Sequence, residues 1–354
     1  MTTFDTTDSV DPAALGRFDL LIDVRSPGEF ADDHIPGAVN LPVLSDAERA
    51  EVGTLYVQQS RLLARRIGAA HVARNIARHL ETALADRPGA FQPLVYCWRG
   101  GQRSHAMATV LAQVGWRPVQ LVGGYKTYRR RVQARLYGEA DGPTLVLLDG
   151  RTGVAKTEVL GRLAALGVQT LDLEGLAQHR GSLFGALPGR PQPGQKLFES
   201  RLLTALDALD LSRPIVVEAE SSKIGERMTP PWIWAAMRRA PRIELRANLA
   251  ARAGYLAAAY GDIADDPPAL KAILDRLPVH PGRKQVSALS DLAAAGAIED
   301  LAAVLMETHY DPAYDRSSRK AGRQALAVID LPDLSPASQD AAAAEIARLV
   351  TGLT

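Results

Sequence analysis

The single cysteine of the chain, Cys97, opens the run Cys97-Trp-Arg-Gly-Gly-Gln-Arg103-Ser104. An apolar stretch precedes it and a helix-forming stretch follows, which places the sulfur where a buried strand turns into a helix N-terminus. Gly100 and Gly101 permit backbone geometry that other residues resist. Successive amides can then point inward, and the helix start adds partial positive charge. Arg99 and Arg103 add formal charge. Such surroundings make a sulfur nucleophilic. The loop of Trp98, Arg99, Gly100, Gly101, Gln102, Arg103 and Ser104 therefore reads as a cup for a tetrahedral anion, with Cys97 as the catalytic group at its base. The plainer alternative is a structural cysteine ending a core strand. Two glycines and two arginines directly after it weigh against that.

A second constellation is Asp149-Gly150-Arg-Thr-Gly-Val-Ala-Lys156-Thr157. It follows an apolar run and opens a helical one. It matches Gly-x4-Gly-Lys-Thr with Ala155 in place of the second glycine. In this motif backbone amides cradle a diphosphate, the lysine neutralises it, and the threonine hydroxyl can hold magnesium. Gly150, Thr152, Gly153, Ala155, Lys156 and Thr157 are thus the phosphate-binding candidates. If the second glycine needs positive φ, Ala155 weakens the cradle. Strand ends nearby in sequence carry further polar groups: Asp172, Glu174, His179 and Arg180 in one run, Glu218 and Glu220 in another. Ligands of open parallel sheets bind at such carboxyl ends. The acids can hold metal or water, or simply cap strands in solvent. Arg246 and Arg252 can reach a phosphate from a lid, or lie on a solvated helix. No residue set marks a certain metal site.

The elements that must position these groups alternate. Strands are expected over 20–24, 39–43, 93–97, 119–122, 144–148, 168–171, 214–217, 242–245 and 325–329. Helices are expected over 60–82, 104–114, 156–166 and 336–350. Such alternation implies α/β architecture with parallel sheets covered on both faces. Residues 138–143 read as a linker, giving domains over 1–137 and 138–354. The length of 354 residues suits two domains. With 47% hydrophobic and 23% charged residues the composition is that of a globular enzyme, not a disordered chain. One cysteine excludes an intramolecular disulfide and a thiolate zinc cage.

Asp23-Val-Arg25, His34-Ile-Pro-Gly-Ala38 and Tyr96-Cys97 with its loop resemble a rhodanese domain. Asp23 and His34 read as structural there. The Cys-x5-Arg spacing is one residue longer than in ordinary sulfurtransferases. It is shared with cysteine-dependent phosphatases and suits a larger anion. The second half resembles a kinase-like P-loop domain with C-terminal helices. The loop at 97–104, Gly123-Gly-Tyr-Lys-Thr-Tyr-Arg129, the run 172–182, Glu218-Ala-Glu-Ser-Ser-Lys-Ile-Gly225 and Tyr310-Asp-Pro-Ala-Tyr314 together closely resemble the tRNA 2-selenouridine synthases. That resemblance implies replacement of sulfur by selenium at a wobble 2-thiouridine. The base is first geranylated on sulfur by geranyl diphosphate, and selenophosphate then supplies selenium. Alkylation turns a poor leaving group into a thiolate. On this reading the phosphate loop holds the diphosphate and the Cys97 loop holds selenophosphate. Both are co-substrates; no tightly bound cofactor is implied. A selenophosphate synthetase is the natural supplier and an expected partner.

The net charge is +1, so any tRNA site must be a local patch. Arg61, Arg65, Arg66, Arg74 and Arg78 form one acid-free stretch, and Lys126, Arg129, Arg130 and Arg131 with Arg135 another. Either also fits a solvated helix face. Trp98 can stack on an anticodon base or pack under its loop. Pro230-Pro-Trp-Ile-Trp234 is a candidate lining for a geranyl chain, with core packing the alternative. Rival readings are a cysteine phosphatase or sulfurtransferase fused to a P-loop domain, and a non-catalytic tRNA-binding module. No signal peptide or membrane-spanning run is legible, and a reducing cytoplasm is the expected location.

Overall fold

The computed structural model describes residues 4–138, 141–182, 185–187, 189–259, 267–275, 283–321 and 325–353. Two residues of the expected linker, 139 and 140, lie outside them. The chain divides into two compact units: 1–138 with 193–207, and 139–192 with 208–354.

The first unit runs β1 (Asp5–Thr7), α1 (Pro12–Leu15), β2 (Leu20–Asp23), α2 (Pro27–Asp32), β3 (Val39–Asn40), α3 (Asp46–Gln58), α4 (Arg61–Glu81), β4 (Pro93–Tyr96), α5 (Gln102–Val114), β5 (Val119–Leu121) and α6 (Tyr125–Leu136). Its sheet has the order β1-β5-β4-β2-β3, with every pairing parallel. All four residues of β4 are buried, as a central parallel strand requires. Ile22, Val95, Met107, Leu111 and Ile76 pack the core, and Cys97 lies within it. The strand expected over 39–43 shortens to Val39–Asn40, since Pro42 has no N–H for a ladder. The sequence pattern does not announce α3, whose capping box (Ser45 with Glu48) starts a helix that buries none of its residues. An additional helix, Gln195–Asp207, belongs to this unit although second-unit chain flanks it on both sides. Two domains contiguous in sequence do not place it, because its own apolar stripe does not say which sheet it meets.

The second unit holds β6 (Leu145–Gly150), α7 (Lys156–Ala165), β7 (Thr170–Leu171), α8 (Leu173–Ala177), β8 (Ile215–Glu218), the antiparallel pair β9 (Lys223–Ile224) and β10 (Arg227–Met228), α9 (Pro231–Arg239), β11 (Arg242–Arg246), α10 (Leu249–Ala259), α11 (Pro267–Leu274), α12 (Arg283–Ala294), α13 (Ile298–Leu305), a π-helical turn Met306–Tyr310, α14 (Asp311–Ala321), β12 (Ala325–Asp330) and α15 (Pro336–Thr351). The main sheet is parallel throughout, in the order β12-β11-β6-β8-β7. Val146, Leu148, Val216, Ile243 and Leu245 of its strands pack against Leu160 and Leu163 of α7 and Ala343 and Ile346 of α15. Leu270, Leu274, Leu289, Leu301 and Leu305 form a separate helical cluster. β6 lies centrally, so the loop after it opens at the carboxyl edge of the sheet.

Candidate functional site

In the first unit, Cys97 follows β4 and is buried. Its Sγ accepts hydrogen bonds from the Gly101 N–H and the Ser104 hydroxyl, each at 3.2 Å. Behind them stands Gln120 of β5, which sequence reasoning missed. Its Nε2 donates to Ser104 Oγ at 2.9 Å and to the Gly100 carbonyl at 2.8 Å. Gln120 carries no motif signal, because only strand pairing brings it beside the loop. Two glycines make the cup close. Gly100 has φ +65°, and a Cβ there would sit 2.6 Å from the Leu121 carbonyl oxygen. Gly124 has φ +57°, and a Cβ there would overlap the Cys97 carbonyl. Their absence lets the Tyr125 N–H donate to the Cys97 carbonyl at 2.8 Å, fastening α6 to the loop.

The expected pair of loop cations is only partly realised. Arg99 is exposed. Arg103 instead donates to Glu29 at 2.7 Å, and Arg49 meets the same carboxylate at 3.0 Å. Burial alone would raise the Glu29 pKa, but the two guanidiniums hold it below the ordinary value. Gln102 is exposed at the first turn of α5. Trp98 packs under its loop, stacked on Tyr125 with centroids 5.2 Å apart and with the Arg25 guanidinium over both rings. Arg25 is itself paired with buried Asp23 at 2.6 Å. His34 stacks on Phe30 and bonds its carbonyl through Nδ1. Asp23 and His34 thus act as structure.

In the second unit the phosphate loop leaves β6 and enters α7 as the motif requires. Gly150, Gly153 and Ala155 all have positive φ: +150°, +84° and +58°. Ala155 therefore occupies the left-handed region as a residue with a side chain, at a cost of roughly 1–2 kcal/mol. The concern about that substitution is realised as strain, yet the loop keeps its shape. Lys156 Nζ donates to the Gly150 carbonyl at 3.1 Å, and the Thr157 hydroxyl donates to Glu218 at 2.7 Å. Arg252 is not on a lid. It is buried, donates to the Thr152 carbonyl at 3.2 Å, and pairs with Asp311 at 2.7 Å. Arg246 pairs with Glu244. Asp311 also takes Arg151, and Tyr314 donates to Asp149 at 3.1 Å. Tyr310 and Tyr314 line the same cavity as the phosphate loop.

Asp172, Glu174, His179, Arg180 and Glu220 line the same cavity as the phosphate loop, a space of about 590 Å³. Asp172 also caps α8 through the Gly175 N–H. Glu218 lies buried against Thr157. Glu174 and Glu220 converge on Gly181, where any Cβ would overlap Glu174 Oε1. Burial first, then the neighbouring carboxylates, pushes the Glu174 pKa well up. Burial likewise raises Glu218. His179 is lowered by burial, so it is neutral at pH 7, and its Nδ1 accepts the Gly181 N–H at 3.1 Å. Among the described residues no group of three or more His, Cys, Asp or Glu side chains forms a metal cage.

Of the basic candidates, Arg61, Arg65, Arg66, Arg74 and Arg78 are exposed along α4. On α6 the picture divides. Arg129 is ion-paired with buried Glu199, and Arg131 meets Asp207 in a two-point contact at 2.7 and 2.8 Å. Both hold the helix Gln195–Asp207 within its unit. Lys126 and Arg130 are exposed. In the run Pro230–Trp234, Trp232 and Ile233 are core, Trp234 is half-buried and Pro231 exposed, and the Trp232 indole donates to the Asp141 carbonyl.

Fold and sites together define a class: a parallel-sheet domain with a buried cysteine at the base of a glycine-containing loop, joined in one chain to a P-loop domain. Residues 11–131 match the rhodanese-like domain family, and residues 143–266 match the family described as the tRNA 2-selenouridine synthase AAA domain. The chain is 36% identical over 239 residues to the tRNA 2-selenouridine synthase of Nitrosomonas europaea, covering 66% of this chain and 61% of that one. It is 40% identical over 233 residues to that of Chromohalobacter salexigens, with 65% and 62% covered. With that of Verminephrobacter eiseniae it is 38% identical over 254 residues, covering 69% and 67%. The chain belongs to the tRNA 2-selenouridine synthase family. The matched stretch spans about three-fifths of the first two relatives. No helix among the described residues is long and apolar enough to cross a membrane.

Proposed function

We propose that this chain replaces the sulfur of a wobble 2-thiouridine in tRNA by selenium, in two transfers. The observation that carries the reading is the joint presence of a sulfur with two donors aimed at it and a P-loop cavity in one chain. In the first transfer the thiocarbonyl sulfur bonds to C1 of geranyl diphosphate. The C1–O bond breaks, diphosphate leaves, and the base loses its N3 proton. Lys156 and the amides of 151–157 receive the leaving group's charge. The oxygens of Thr157 and Glu218 suit a magnesium ion bound with it: they lie 2.7 Å apart, and among the described residues Glu218 Oε2 is buried with no hydrogen-bond partner. Such an ion would supply further neutralisation of the diphosphate. In the second transfer selenium from selenophosphate bonds to C2, the C2–S bond breaks, and geranyl thiol leaves with a proton. Water cleaves the Se–P bond and releases phosphate. Arg99 and the loop amides hold the anion, which competes with Glu29 for Arg103. A selenophosphate synthetase is the partner such a donor calls for. The exposed arginines of α4, with Lys126 and Arg130, are the surface for tRNA phosphates.

Mass spectrometry of nucleosides tests this. 2-Thiouridine tRNA is incubated with the protein, selenophosphate, magnesium, and geranyl diphosphate present or omitted. Geranylated and then selenated uridine is expected, with Lys156→Ala blocking the first product and Cys97→Ser the second. Unchanged tRNA with active substrates would sink the reading. Hydrolysis of a simple aryl phosphate instead would favour a phosphatase.

A further inference from the structure

With Trp232 and Ile233 buried in the core, an apolar ligand tail needs another surface, and the cavity of the phosphate loop has one. Its lining mixes polar groups, Lys156, Thr157, Asp172, Glu174 and Glu220 among them, with Leu187, Tyr255, Leu256, Ala259 and Tyr310. Tyr255 and Ala259 are four apart on α10 and so share a face, with Leu256 beside them. That helix is seated on the phosphate loop. Arg252 bonds the Thr152 carbonyl, and a Cβ on Gly153 would come within 3.1 Å of Leu256 Cγ. The apolar face therefore begins where the phosphate cradle ends. Tyr310 reaches the same space from a π-helical turn, a device common at functional sites.

We infer that Leu187, Tyr255, Leu256, Ala259 and Tyr310 form the subsite for the hydrocarbon tail of an isoprenoid diphosphate. This rests on the reading of the P-loop as a diphosphate cradle. The aliphatic members offer no donor or acceptor. A nucleoside laid on them would leave ribose hydroxyls or base edges unpaired, which is costly, whereas a hydrocarbon has nothing to pair. Ala259, the last residue of α10, is exposed.

Equilibrium binding without tRNA, in magnesium, tests the subsite. The probes are inorganic pyrophosphate, the non-reacting thiolodiphosphates of dimethylallyl and geranyl alcohols, and ATP. Each buried carbon is worth roughly fourfold in affinity. The geranyl probe is expected to bind at least about thirtyfold tighter than pyrophosphate, with the dimethylallyl probe between them. Ala259→Asp and Leu256→Ser are expected to remove most of that gain. Pyrophosphate affinity, which reports an intact loop, stays within about twofold. Leu256→Ser is read against its own pyrophosphate affinity, and the exposed Ala259 carries the test in any case. A wild-type geranyl probe no tighter than pyrophosphate, a gain that survives Ala259→Asp, or ATP binding tighter than the geranyl probe would overturn the subsite while leaving the diphosphate cradle standing. Absence of pyrophosphate binding would remove the cradle reading and the subsite with it.

Discussion

Ala155 and Gln120 show what single residues contribute to the two sites. Ala155 holds a left-handed conformation inside the phosphate loop. Ala155→Gly relieves that strain but makes the unfolded chain more flexible, so a net gain of up to about 1 kcal/mol in urea unfolding is expected. Ala155→Val places a β-branched residue where it is least tolerated and should weaken pyrophosphate binding at least about tenfold. Gln120→Leu leaves the Gly100 carbonyl and Ser104 Oγ without their donor. A loss of about 1–3 kcal/mol in stability is expected. Alkylation of the single cysteine should slow at the same time, because Ser104 is no longer held beside Sγ. Alkylation at the wild-type rate would refute that positioning role. Glu174 carries a pH prediction. Its pKa is raised in the folded protein, so the native state holds a proton that the unfolded state loses first. Its contribution is full below the ordinary value of 4.5 and declines as pH rises above it. Glu174→Gln should therefore flatten the fall in stability between about pH 5 and 8, read by urea unfolding across that range.

At the scale of elements, the basic helix α6 divides its cations between ion pairs and an exposed side. Arg129 faces Glu199 on the helix Gln195–Asp207, and Glu199 is buried. Arg129→Ala takes the cation from buried Glu199, leaving it the Tyr137 and Gln195 donors, and should cost about 3 kcal/mol in unfolding experiments. Arg130→Ala, on the exposed side, should leave stability within about 0.5 kcal/mol and weaken tRNA binding instead. The basic run was legible from sequence; its division was not, since the partner helix lies some sixty residues on and carries no signal of where it packs. The same limit applies to α3. Its capping box was there to be seen, but a helix that buries none of its residues has no apolar stripe to announce it. Strands and helices bearing the two motifs were the easy part. A strand buried on both faces, followed by glycine, is local in origin.

For the whole molecule, a net charge of +1 means that the tRNA binding proposed above would rest on local patches. Replacing Arg61, Arg65 and Arg66 with alanine should reduce the slope of log affinity against log salt by about two to three, roughly one for each tRNA phosphate that an arginine had neutralised. An unchanged slope would assign α4 to a solvated face. The chain's own residues determined the glycine turn after Cys97, the strand–loop–helix at 145–165 and the parallel α/β plan, because each is written in contiguous residues: an apolar run, glycines at fixed offsets, a helix start. Only the tertiary structure decided what those loops lean on. Gln120 behind Ser104, Glu29 on Arg103, Arg252 beneath Thr152 and the wall from Tyr255 to Tyr310 come from segments distant in sequence. Side chains at such separations are brought together by sheet order and helix packing. Both are set by the burial of the whole core and are marked by no local spacing.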